Sequence, residues 1–115
     1  MTPDLPSRFD RELRKELHHK LLVRGSALAT LLGDVLADKD RLAAIAAIGV
    51  EPRPGIRPEE LLRDALNQVE RRRRLLDAGD DRYGRCDVCG VELSRTALEQ
   101  LPWADRCQAH ATHAL

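Results

Sequence analysis

The sequence predicts an all-α protein: an antiparallel two-helix coiled-coil hairpin followed by a small C-terminal module and a short C-terminal helix. Three observations lead there. Only 3% of the 115 residues are aromatic, while Leu, Ala, Arg and Glu dominate, a composition suited to long helices and poor for a sandwich or barrel. Two stretches with apolar residues at three-, four- and seven-residue steps flank a segment rich in Pro and Gly. The last third then holds all three cysteines and two of the four histidines. So short a chain buries a limited core and benefits from a staple.

Pro3 and Pro6 make residues 1–7 an extended lead-in, and Ser7 is the expected N-cap of a first helix starting near Arg8. Leu21, Leu28, Val35 and Leu42, with Leu17 and Leu31 on the adjoining line, form one narrow seam that wants a partner helix. The cluster Asp38-Lys39-Asp40 leaves two alternatives: the helix runs on to Gly49, or it breaks there and a short apolar helix follows over 41–48. Residues 50–57 hold Pro52, Pro54 and Gly55 and reverse the chain, so the tip lies at about 41–57 of a hairpin spanning 8–81. Pro58 fits the first position of the second helix, with Glu59 and Glu60 against its positive end. Leu62, Leu66, Val69 and Leu76 are its seam, over about 58–78.

Nineteen basic and nineteen acidic residues cancel, which excludes a protein whose main task is coating nucleic acid. The N-terminal residues have no apolar core of a signal peptide, and no run is long enough to cross a bilayer, so a cytoplasmic protein is expected; a monomer is expected as well. No Ser/His/Asp set, phosphate-cradling glycine loop or pair of catalytic carboxylates can be assembled, so an enzyme is not expected.

In the remaining module, 82–115, Cys86 and Cys89 form one C-x-x-C pair and Cys107 and His110 a second pair with the same gap, seventeen residues apart. Tetrahedral zinc takes four N or S donors at about 2.0–2.3 Å, and a two-residue gap lets the chain turn so that both members of a pair face the ion. Cysteines confined to such pairs argue for a metal over a disulfide. Four protein donors leave no open position, so one structural zinc ion is expected. His110 is preferred to His113 because it keeps the gap. His18 and His19, far upstream, read as solvated helix residues.

The segment RYGRCDVCGVELSRTALEQLPWADRCQAH, Arg82 to His110, resembles the zinc-finger signature of the DksA/TraR family of bacterial transcription regulators. The likeness rests on Tyr83-Gly84, Cys89-Gly90, Leu98-Glu99, Pro102, Ala104-Asp105, Cys107 and the interval between the pairs. It implies a protein that binds RNA polymerase directly, without sequence-specific DNA contacts. The hairpin would enter the secondary channel, and acidic tip side chains would act on the catalytic magnesium and on promoter opening. The chain departs from the family in three places. His110 stands where full-ligand members usually have cysteine. Instead of two aspartates followed closely by alanine, the tip offers Glu51, with Asp38 and Asp40 nearby and Ile45 and Ile48 as apolar contacts. Leu101 and Ala111 replace the basic residues that members responsive to guanosine tetraphosphate carry, which argues against that response.

Two readings remain for Arg71, Arg72, Arg73 and Arg74: a solvated face whose stems cover apolar surface, or a contact with an acidic polymerase surface or nucleic-acid phosphate. Leu101 and Trp103 are expected to pack between the finger and the second helix. A second functional class is a zinc-stabilised helical adaptor that has lost polymerase regulation and binds a partner through Leu42, Ile45, Ile48 and Val50. Direct nucleic-acid binding through the arginines is the weakest reading, given the balanced charge.

Overall fold

The computed structural model describes residues 9–110, so Ser7 and His113 lie outside the described residues. Helix α1 spans Arg11–Leu36, α2 Leu42–Ala47, α3 Pro58–Asp77 and α4 Arg95–Gln100, with a 3-10 turn at Gln108–His110. Among the described residues there is no strand, only an isolated bridge between Arg85 and Glu92. No helix of these residues is long and apolar enough to cross a membrane.

Helix α1 begins three residues later than expected, because Asp10 caps it: its carboxylate accepts from the Leu13 amide at 2.8 Å. Helix α3 begins at Pro58 as expected, and the Glu60 carboxylate reaches back to the Arg57 amide at 3.1 Å. The two long helices pack against each other. Leu13, Leu17, Leu21 and Leu28 of α1 and Leu61, Leu62, Ala65, Val69 and Leu76 of α3 supply the core between them. Arg14 reaches the Leu76 carbonyl, His18 pairs with Asp77 at 2.8 Å, and a Cβ on Gly25 would lie 3.7 Å from Val69.

The break after α1 resolves the alternative left open at Asp38. The Asp38 amide donates to Val35 O and the Lys39 amide to Asp34 O, both at 3.0 Å, and Asp38 takes φ 66°. This is a Schellman ending, in which one residue must adopt the left-handed conformation that glycine tolerates best. The same hydrogen-bond pair ends α2 at Gly49 and α3 at Gly79, so α1 alone of the three uses a residue with a side chain. Arg41 and Lys39 close on Asp34 at 3.0 and 3.6 Å and hold the turn. Hydrogen bonding by Arg41 lowers the Asp34 carboxyl below its usual range. Asp38→Gly is expected to raise stability by up to about 1 kcal/mol, measured as an upward shift of the urea midpoint at unchanged slope.

Past this break the chain doubles back. Arg24 in the middle of α1 donates through Nη1 to the Ile48 carbonyl at 2.5 Å, so α2 lies alongside α1 and does not prolong it. Ile45 and Val50 join the core, and Ile48 packs against it. Leu42, placed on the first seam by its spacing, is instead 56% exposed on α2, since the break at 37–41 changes its helical phase.

Candidate metal centre

The finger is built from turns that aim side chains inward. Gly90 N–H closes on Cys86 O at 2.9 Å and Cys86 N–H on Val91 O at 2.9 Å, while the Val88 amide points at Cys86 Sγ at 3.4 Å. Gly90, at φ 77°, provides the left-handed residue that this turn needs after the second cysteine. In the second pair Cys107 immediately precedes the 3-10 turn and His110 ends it, and His110 N–H bonds Cys107 O at 2.9 Å. The Asp87 amide bonds Asp105 O at 2.8 Å and so ties the two knuckles together.

As a result the donor atoms of Cys86, Cys89, Cys107 and His110 all lie within 4.8 Å of one another and can hold a metal ion. Cys89 Sγ is 3.8 Å from Cys107 Sγ, and His110 Nδ1 is 3.2 Å from Cys107 Sγ and 3.7 Å from Cys86 Sγ. Donors about 2.0–2.3 Å from one tetrahedral ion stand about 3.5–3.8 Å apart, so these three pairs are close to that spacing and the set as a whole, within 4.8 Å, contracts to close around an ion. Cys86 is buried, Cys89 exposed and Cys107 partly covered. Burial pushes the Cys86 thiol up, but the backbone N–H groups of Cys107, Cys89 and Val88 outweigh it and bring the thiol down to about 6. That favours the thiolate a metal requires.

No family model matches this chain, and no curated protein or solved structure matches it.

Two clasps key the finger to the helices. Tyr83 is buried, donates its hydroxyl to Pro102 O at 2.8 Å and meets Phe9 edge-on at 5.6 Å. Arg72, fully buried on α3, pairs with Asp87 between the two cysteines of the first knuckle, and Arg71 reaches the other oxygen of Asp87 at 2.8 Å. Burial raises the Asp87 carboxyl, yet hydrogen bonding and charge from Arg72 and Arg71 lower it more. The rest of the run also meets acids: Arg73 pairs with Glu70 and Asp77, and Arg74 with Glu70. Both sequence readings of 71–74 therefore missed a fastening role, for which the only cue was an acid inside the C-x-x-C pair.

Trp103 differs from expectation too. It packs on α1, where the Arg24 guanidinium stacks 3.9 Å above its ring, and Leu101 is exposed while Pro102 and Leu98 fill the interior. Helix α4, which carries Leu98, was legible only as Ser94 before RTALEQ; the Ser94 hydroxyl accepts from Ala97 N–H at 3.1 Å. Of the other candidates, Asp38 and Asp40 are exposed at the turn after α1 and Glu51 is exposed beyond α2. His19 is exposed, and His18 is paired with Asp77.

His110→Ala is expected to weaken metal retention against a competing chelator by more than the roughly 10–100-fold typical of changes to residues behind the ligands. His113→Ala and His18→Ala should each keep one ion per chain, by elemental analysis after gel filtration.

Proposed function

We propose that this protein is a zinc-stapled helical hairpin that binds RNA polymerase directly, with its free end directed into the secondary channel. The observation that supports this most is that the segment resembling the DksA/TraR finger closes into a four-donor cluster fastened to two paired long helices. Three thiolates and one imidazole in a closed tetrahedral set suit zinc in a structural role, with no open position for chemistry.

The contacts of Arg14 with Leu76 and of Gly25 with Val69 fit an antiparallel pair. From the second contact each helix runs a further eleven residues, 25 to 36 and 69 to 58, about 16 Å at roughly 1.5 Å per residue. Both then end at one height, and Asp38 and Asp40 follow at that end. On this reading these two exposed carboxylates, and not the folded-back segment 42–50, are the acidic groups offered to the polymerase. The folded-back α2 thickens the hairpin behind its end, which limits insertion and favours strong occupancy with a weak effect on initiation. Engagement of 71–74 with carboxylates supports a protein partner over nucleic-acid phosphate.

The test is sedimentation of tagged protein with RNA polymerase at micromolar concentration, together with competition against another channel-binding factor. Absence of a shift ends the proposal. Asp38→Gly, expected to be at least as stable, should bind as before and lose part of any effect on promoter opening.

The adaptor reading has one observation in its favour: Leu36 and Leu42 are 54% and 56% exposed at the same end. It requires that Leu42→Asp abolish a complex in which polymerase has no part.

A further inference from the structure

A cavity of about 490 Å³ opens between α1, the end of α2 and the α4–Trp103 segment, away from the metal donors. Its walls are mainly Val23, Ala27, Ile48, Pro102 and Trp103, and its charged groups are Lys20, Arg24 and Glu99. Lys20 already has a counter-charge in Glu16 at 3.0 Å, and Glu99 has one in Arg95 at 3.0 Å. Arg24 has none: among the described residues no carboxylate pairs with it, its Nη1 holds only the Ile48 carbonyl, and its Nε is buried without an acceptor. Burial also pushes the Arg24 pKa below the usual arginine value, as desolvation of an uncompensated cation requires. Stacking on Trp103 softens that charge without neutralising it.

A half-open apolar cleft with one unbalanced cation and a tryptophan wall is the arrangement that takes a small anion with an apolar body. We propose that this cavity binds a small aromatic or acyl carboxylate, its body among Val23, Ile48 and Trp103 and its carboxylate paired with Arg24. The carboxylate would supply the missing negative charge, and the volume falls within the roughly 300–1,000 Å³ of small-molecule sites.

Trp103 is the only tryptophan, so its indole N–H gives a single resonance that reports on the cavity. The experiment titrates the metal-loaded full chain with 2-naphthoate and, separately, with its neutral counterpart 2-naphthamide. Saturable shifts of the indole resonance are expected for the carboxylate, with binding about tenfold or more tighter than the amide, the loss typical of one charge-assisted contact. Arg24→Gln should erase that preference. Ala27→Phe, which fills part of the cleft and keeps the cation, should weaken both compounds, and it tests occupancy of the cleft if Arg24→Gln proves unfolded by circular dichroism. Equal affinity for acid and amide, no saturable shift, or unchanged binding by Ala27→Phe would each overturn the proposal.

Discussion

Replacing Cys89 by serine is expected to unfold residues 82–110 while most of the helical signal of α1 and α3 persists. Among the described residues the finger has no strand, and only Tyr83, Leu98 and Pro102 are fully enclosed side chains there, too little apolar burial to order it unaided. Metal binding free energy is folding free energy for such a module, and apparent values of about 10–16 kcal/mol for structural zinc sites exceed anything these side chains supply. A strong chelator should act as the substitution does. Hydrogen exchange is the measurement: amides of Cys86, Gly90 and His110 should lose protection by several orders of magnitude, whereas those of Leu21 and Val69 should lose far less. Protection of the finger that survives metal removal would refute the account.

Arg72→Met should lower global stability by about 3 kcal/mol, because it leaves Asp87 partly buried with only the exposed Arg71 as counter-charge. Asp87→Asn in the same background should recover part of the loss, since the stranded charge is then gone. A double-mutant cycle in urea separates the pair from each residue's packing. The pH dependence has a definite sign. The Asp87 carboxyl is lowered in the folded protein, so its contribution is full above the usual carboxylate range and is lost as pH falls through the lowered value. Asp80, which Arg82 brings down to about 2 through side-chain and backbone hydrogen bonds, behaves the same way. The wild type should therefore lose stability on acidification below pH 4, and Arg72→Met should show a shallower acid limb. Identical slopes would exclude the ion pair as the cause.

Much of the site was legible because its chemistry is local. Two pairs of donors with two-residue gaps constrain the backbone within each knuckle, and the four donor atoms converge as that spacing requires. Pro58 with Glu59 and Glu60 likewise marked the start of α3 to the residue. What lay hidden depends on partners distant in sequence. No periodicity shows that Arg72 faces Asp87 fifteen residues away, or that Trp103 turns toward Arg24 on α1 and not toward α3.

The sequence alone determined that this chain is helical, where its second long helix begins and which four side chains meet, since propensity, proline position and donor spacing act over a few residues. Tertiary structure decided the course of 37–57. A Schellman turn at Asp38 and an extended helix were both compatible with the local pattern. Burial of Ile45 and Val50, and the bond from Arg24 to the Ile48 carbonyl, favour the doubled-back chain, in which those apolar side chains leave water.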